Sequence, residues 1–410
     1  MTFSALGLPG NTLFFEADRI FCLFVPKKMG YTDQQRELGG FLREEGNDRI
    51  IPGTDIRVVK EMFHSKNGLT MPASPRLPGL FLDFFPTVDS SEVNNNFSYN
   101  IFLPAKPEKG FIIMLHGLNE RTWDKYVLWA LRLASDTRKP VILFPIANHM
   151  NRSPRTWFDR HAMMPAVAAR MLSEPGARLT TFANVALSTR LSISPHLFFL
   201  SGYQAVNDII SLTEEIKSGR HPSIGSEGSP DIFAYSIGVM LAQVLMLSRE
   251  KPLPPESRLF FFCGGSALNK MNGTSKLIMD SKAFDRLISY YIDEIDEKQK
   301  QGGDWLTKVV DETAVGEGYY AMSSAARLKK VFGDPFRDLD GRVKAVTVSS
   351  DRVIPPSGIK EAMQGADIDT WLPDYPCTHE NPFPLFTTGY AGDVDSAFDR
   401  LFTTASAFLG

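Results

Sequence analysis

The stretch Asp231–Met246, DIFAYSIGVMLAQVLM, limits what this chain can fold into more than any other. Asp231 to Tyr235 has the short apolar run of a buried strand, and apolar residues continue from Ile237 to Leu247 at helix length. Between them stands Ser236, flanked by Ala234 and Gly238 in a small-x-Ser-x-Gly pattern. A strand that turns into a helix within one residue holds that residue in a strained conformation. Its neighbours must be nearly free of side chain for strand and helix to approach. Two readings fit. A serine at such a turn projects its hydroxyl above the carboxyl end of a sheet, where free helix amides converge, which suits a nucleophile. Alternatively, Ser236 simply caps a core helix.

Bulk composition narrows the field. The 410 residues are 43% hydrophobic and 22% charged, the balance of a globular chain of two or three domains or of one domain with large insertions. A net charge of −3 and the lack of a Lys/Arg block argue against a nucleic-acid partner. The 30 phenylalanines favour a large core or an apolar pocket. Cys22, Cys263 and Cys377 are too widely spaced for a metal site or a disulfide framework, and each reads as a small buried hydrophobe. No apolar run is long enough to span a membrane, because the one near Ser236 is broken by Gln243. The first residues show no signal peptide, so cytoplasmic residence is expected.

Along the chain, residues 1–78 read as an N-terminal extension that packs on the main domain. Strand signals begin at Gly79–Pro86 and recur at Phe97–Leu103 and Phe111–Leu115, spaced as an antiparallel meander. Strands and helices then alternate. Helices are expected at Tyr126–Ser135, Tyr203–Lys217, Ile237–Leu247 and Val394–Phe408. Strands are expected at Pro140–Pro145, Asp231–Tyr235, Arg258–Cys263, Val343–Ser349 and Ile368–Leu372. Such alternation predicts an α/β fold with a mostly parallel sheet and helices on both faces. Two stretches interrupt it, Ala147–Ser201 and Ala267–Gly341. The second carries Phe284, Leu287, Ile288, Tyr291, Ile292 and Ile295 at helical spacing. The expected organisation is therefore extension 1–78, core 79–266, helical insertion 267–341 and core 342–410.

A nucleophilic serine needs a base, an acid that orients the base, and donors for an oxyanion. Strand Val343–Ser349 runs into Asp351, which places that carboxylate at a carboxyl sheet edge, where ligands bind. His379 follows the next strand on a loop and is the only histidine after His221. Glu380 and Asp374 are rival orienting acids, but a side chain next to the imidazole in sequence cannot easily face its Nδ1. Upstream, strand Phe111–Leu115 ends in His116-Gly117-Leu118, where a glycine lets the backbone aim an amide at the oxyanion. The Leu118 and Ile237 amides are the candidate donors. His116 reads as a structural residue that hydrogen-bonds the backbone behind them. The other histidine-bearing stretches, Asn148–Arg152 and Asp159–His161, show no metal-ligand spacing and read as lining or support.

On these residues, His116-Gly117, Ala-Tyr-Ser236-Ile-Gly238, Asp351-Arg-Val-Ile-Pro and His379, the chain resembles the α/β-hydrolase fold superfamily over residues 97–266 and 342–410. The resemblance implies a sheet of about eight strands, a Ser236–His379–Asp351 triad and no metal or organic cofactor. It also implies that residues 267–341 form a helical lid. Ala234 departs from the family glycine, and no subfamily can be assigned. The implied activity is a serine hydrolase that acts on an ester or related acyl bond of a small molecule through a covalent acyl-enzyme. The alternatives are a non-catalytic binding or scaffold protein on the same fold, and an acyltransferase or C–C hydrolase.

Overall fold

Three strands at the centre of the molecule are apolar and buried at every position: β4 (Phe111–Leu115), β5 (Val141–Leu143) and β7 (Leu259–Phe262). A fourth, β6 (Pro230–Tyr235), is buried along its whole length. Only a strand covered on both faces can carry such a run, which requires a parallel sheet between two helical layers. A computed structural model of the chain, which describes residues 29–44, 46–68, 92–248, 253–337, 339, 341–385 and 389–410, has that architecture. The sheet has nine strands in the order β1-β2-β3-β5-β4-β6-β7-β8-β9. The remaining strands are β1 (Asp48–Ile50), β2 (Ile56–His64), β3 (Asn96–Pro104), β8 (Val343–Val348) and β9 (Asp367–Trp371). Strands β5-β4-β6-β7-β8-β9 are mutually parallel, and β1, β2 and β3 form an antiparallel edge that joins β5. This is the α/β-hydrolase fold class.

The helices that frame the site are α1 (Tyr31–Leu38), α2 (Val127–Thr137), α3 (Arg160–Ser173), α4 (Val185–Ile193), α5 (His196–Lys217) and α6 (Ile237–Leu247). They are followed by α7 (Ser281–Ser289), α8 (Ile295–Lys300), α9 (Trp305–Glu312), α10 (Ala314–Met322), α11 (Ala325–Phe332), α12 (Pro356–Ala362) and α13 (Ala391–Leu409). On one face α2 and α13 close over the sheet around Trp129, which meets Tyr235, Phe262 and Phe402 at ring-centroid distances of 5.3, 5.9 and 5.7 Å. On the other face α5, α6 and the helices after β7 share one apolar core. Helix α6 lies within that core, and Gly318 of α10 packs so closely on it that an added Cβ would stand 3.3 Å from Val244.

The order in which strands are added to the sheet reverses at β4. From β4 the chain passes through α2 to β5 on one side, and later returns to β6 on the other. Such a switch point opens a crevice at the carboxyl ends of the strands. The register Leu115↔Ala234 sets the end of β4 beside the end of β6, so that His116-Gly117 and Ser236 emerge side by side.

Two features differ from the sequence reading. The expected meander does not form: β5 lies between β3 and β4, and β4 is parallel to both of its neighbours. Close spacing in sequence brings two strands near each other, but the strand–helix–strand unit β4-α2-β5 fills the slot between them. The edge instead pairs β3 with β2 through nine positions, from Ile56↔Pro104 to His64↔Asn96. Strand β2 carries Arg57, Lys60, Glu61 and His64 and is half exposed, which hides the apolar alternation that would mark it. The helical spacing expected from Phe284 to Ile295 is interrupted by a π-helical turn, Tyr290–Glu294. Cys22 and the expected strand Gly79–Pro86 lie outside the described residues.

One buried ion pair ties the antiparallel edge to this frame. Arg152 and Asp208 side chains are fully buried and 2.8 Å apart. The guanidinium also donates to the Asn94 and Pro145 carbonyls at 3.0 and 3.1 Å, and the carboxylate accepts from Ser65 and Asn67 at 2.6 and 2.9 Å. Removing one partner leaves an uncompensated buried charge. Arg152→Met is therefore expected to destabilise the protein by about 3–5 kcal/mol. The urea midpoint reads this directly, and an unchanged midpoint contradicts it.

Candidate active site

Ser236 links β6 to α6 with φ 58° and ψ −126°, a conformation that a residue with a Cβ rarely adopts. Its surroundings hold it there. The Ser236 N–H donates to the Phe262 carbonyl on β7 at 3.0 Å, and its own carbonyl accepts from Val239 at 3.0 Å. The glycine requirement is visible at Gly238, where an added Cβ would stand 2.8 Å from the His116 carbonyl oxygen and 2.9 Å from that of Leu115. At Gly117 an added Cβ would meet Ser236 Cβ at 3.3 Å, so the loop after β4 lies directly against the serine.

The three candidate side chains converge from three separate strand ends. Ser236 Oγ lies 2.6 Å from His379 Nε2, and His379 Nδ1 lies 2.7 Å from Asp351 Oδ2. All three are 5–6% exposed. The second Asp351 oxygen accepts from the Val353 and Ile354 amides, both at 2.9 Å, which fixes the plane of the carboxylate. With Oδ2 accepting from Nδ1–H, Nε2 is left as the acceptor for the serine hydroxyl. Glu380 is turned away, its carboxylate accepting from Ser275 Oγ. Asp374 lines a separate hollow with Trp371 and Arg400.

Further residues hold the histidine, and the sequence reading did not find them. The Tyr235 ring stacks on the imidazole with centroids 5.7 Å apart at 18°, and its hydroxyl donates to the His379 carbonyl. Burial, reinforced by Tyr126, pushes the Tyr235 phenol well above the usual tyrosine range, so it stays a neutral donor. Lys125 Nζ donates to the Glu380 carbonyl at 3.0 Å and stands 4.6 Å above the Tyr235 ring. Tyr235 lies inside the elbow motif, so its position was a signal. Lys125 offered none, because its partner Glu380, next to His379, lies more than half the chain away.

The candidate oxyanion donors separate clearly. The Gly117 N–H is engaged with Tyr126 Oη at 3.0 Å, while the Leu118 and Ile237 amides donate to no group among the described residues. His116 is fully buried. Its Nδ1–H donates to the Gly117 carbonyl at 2.8 Å, and its Nε2 accepts from the Ile146 amide at 2.9 Å. Burial, with His149 nearby, holds it well below the usual histidine range, so it is a neutral strut between the loops after β4 and β5. Cys263 and Cys377 are free, and burial pushes both thiols up, away from thiolate character.

A mostly apolar cavity opens beside the elbow, next to Leu118 and Ile237. Leu118, Ile237 and Leu241 line it from the elbow side, together with Leu191, Phe198 and Tyr319 from the helices around it. Both interruptions of the alternation contribute to it, the first through α4 and α5 and the second through Tyr319 of α10. The loop before α7 is tied to the loop after β4: Asn119 Nδ2 donates to the Ala183 and Leu277 carbonyls at 2.8 and 2.6 Å. Leu287 and Tyr291 do not line the cavity. Tyr291 Oη instead bonds the Pro195 carbonyl at 3.1 Å and the Phe199 amide at 3.0 Å, and so buttresses α5 from behind. Among the described residues, no cluster of three or more His, Cys, Asp or Glu could hold a metal, and no helix is long and apolar enough to cross a membrane.

The sequence pattern of a family of unknown function, DUF6051, matches residues 83–410. No curated protein matches. Among solved structures, the chain is similar to carboxyl esterase 2 from the mycorrhizal fungus Tuber melanosporum, at 12% identity over 92% of this chain and 96% of that one, with TM-score 0.41. It is also similar to an esterase of Pyrobaculum calidifontis, at 10% identity over 92% of each chain, with TM-score 0.45. An S-formylglutathione hydrolase from Agrobacterium tumefaciens gives 12% identity over 88% and 98%, with TM-score 0.41. At such identities and TM-scores the likeness carries no argument about what the chain does.

Proposed function

Because the chain belongs to DUF6051, a family of unknown function, its activity has to be read from the site, and we propose that it is a serine hydrolase cleaving an ester or related acyl bond of a small molecule. The observation that carries this reading is the unbroken relay Ser236 Oγ–His379 Nε2 and His379 Nδ1–Asp351 Oδ2, at 2.6 and 2.7 Å. In the proposed mechanism His379 takes the proton of Ser236 as Oγ attacks the carbonyl carbon. The oxyanion that forms accepts hydrogen bonds from the Leu118 and Ile237 amides, an interaction whose loss elsewhere costs roughly 10²–10³ in turnover. His379 then gives its proton to the leaving group, and the acyl group remains on Ser236. A water molecule, deprotonated in turn by His379, releases the acid. Asp351 holds the imidazole in the tautomer these steps need and stabilises its cation.

In this reading residues 267–341 act as a helical lid, with Leu277 bonded to Asn119 of the loop after β4 and Tyr319 in the pocket wall. A fluorophosphonate probe is expected to label Ser236 in folded protein and not after heat denaturation, as mapped by peptide mass spectrometry. Equal labelling of native and denatured protein, or none at Ser236, would remove the nucleophile from the proposal.

A further inference from the structure

Helix α3 is apolar on two opposite sides. Met163, Ala166, Val167 and Ala169 pack inward against Trp157 and Val185. Met164, Ala168, Met171 and Leu172 follow the i, i+4, i+7, i+8 spacing of a second stripe, and all four are exposed. Met171 is 60% exposed and Leu172 78%. A surface helix ordinarily turns charged and polar residues outward, so this stripe is out of place in water.

Two loops extend it. Leu179, in the loop after α3, and Leu277, in the loop before α7, are also exposed. Asn184 Nδ2 donates to the Leu179 and Ser275 carbonyls at 2.8 and 2.9 Å, and Thr181 Oγ1 to the Lys276 carbonyl at 2.6 Å, so the two loops lie together. At the other end of the stripe, the Arg160 guanidinium stands 5.6 Å from the centre of the Phe182 ring, which brings the loop back beside the start of α3. Five of the eleven large apolar side chains exposed among the described residues therefore gather here: Met164, Met171, Leu172, Leu179 and Leu277. Asn119, next to the candidate donor Leu118, bonds both loops, so this surface adjoins the proposed site.

The charges around the patch say what it fits. Arg155, Arg160, Arg178 and Lys276 are exposed on these segments, and among the described residues none of the four is in an ion pair. The acids beside them are Asp159, which caps α3, and Glu174, while Arg170 and Asp280 neutralise each other in a buried pair. The patch is thus locally positive on a chain whose net charge is −3. Exposed apolar clusters mark interaction sites, and cations set around one match a surface that is anionic outside and apolar beneath. A second copy paired across a two-fold axis would set these cations against themselves.

We propose that the outer face of α3, with the Leu179 and Leu277 loops, docks the protein on a lipid surface that carries anionic headgroups. Methionine and leucine side chains enter the acyl boundary, and the four cations meet the headgroups. Binding involves no turnover, so the proposal stands or falls apart from the hydrolase reading.

Flotation of the full chain with phosphatidylcholine vesicles, alone or with about one third phosphatidylglycerol, tests it. Each cation at an anionic surface is worth roughly fivefold in partitioning, so the mixed vesicles are expected to bind at least about tenfold more protein. That excess is expected in about 0.1 M salt and should largely disappear in about 1 M. Met171→Gln with Leu172→Gln should lower binding by about tenfold or more, through lost apolar burial. Arg178→Gln with Lys276→Gln should cost about tenfold on the mixed vesicles only. Met62→Gln, at a residue 70% exposed on β2, should change nothing. All five positions are exposed, so each variant is expected to melt as the wild type does. No flotation with the mixed vesicles, equal flotation with both kinds, or flotation that survives both paired variants overturns the proposal. Self-association that Met171→Gln with Leu172→Gln abolishes, without flotation, gives the face to a second copy and overturns it as well.

Discussion

Ser236→Ala is expected to lower kcat on 4-nitrophenyl esters by roughly five to six orders of magnitude while the protein stays folded. The change removes one oxygen and keeps Cβ, so the elbow backbone at φ 58° carries the same side-chain carbon as before. The contacts that fix that backbone, to Phe262 and Val239, are made by main-chain atoms and survive. What disappears is the hydroxyl, 2.6 Å from His379 Nε2, that attacks the carbonyl in the proposed mechanism. The oxyanion amides and the cavity remain, so KM should change far less than kcat, and a residual rate above that in water is expected. Wild-type-like turnover in purified, normally melting Ser236→Ala protein would end the assignment.

Asp351→Asn is expected to cost about 10⁴-fold in kcat, again with the fold intact. The carbonyl of the substituted amide can still accept from the Val353 and Ile354 N–H groups, which keeps the loop in place. Its NH₂ then faces His379 Nδ1, where the carboxylate now accepts at 2.7 Å. Two donors cannot face each other, so the imidazole proton moves to Nε2 and the serine hydroxyl loses its acceptor. Glu380→Gln and Asp374→Asn should stay within about twofold, the change usual for a substitution away from such a contact. The comparison discriminates because these two carboxylates lie in the same segment as His379 but do not touch its ring. A larger loss in either of them than in Asp351→Asn would transfer the orienting role.

Much of this was legible in the residues because it is local. The period of apolar residues fixes where β4, β6, β7 and α6 run, and the observed ends differ from the expected ones by at most a residue or so. Turn chemistry singles out Ser236 and Gly238, since only a small residue can sit where an added Cβ would meet the His116 and Leu115 carbonyls. Order along the chain brings Asp351 and His379 to successive strand ends. These properties depend on a few neighbouring residues and are written wherever those residues are.

Partnership across the chain is a different kind of information. Whether β3 lies beside β4 or beside β2 is decided by which element fills the slot between, not by the length of the link. Of the three acids near His379, only the folded chain shows that Asp351 reaches Nδ1 while Glu380 turns to Ser275. The cavity walls come from α4, α5 and Tyr319 of α10, segments that sequence periodicity describes only as helices. A helix pattern tells which face is apolar, but not whether that face meets the core, a pocket or another helix, as Tyr291 behind α5 illustrates. The tautomer of His149 belongs to the same class, because it is set by the Ala147 carbonyl that packing brings to Nδ1.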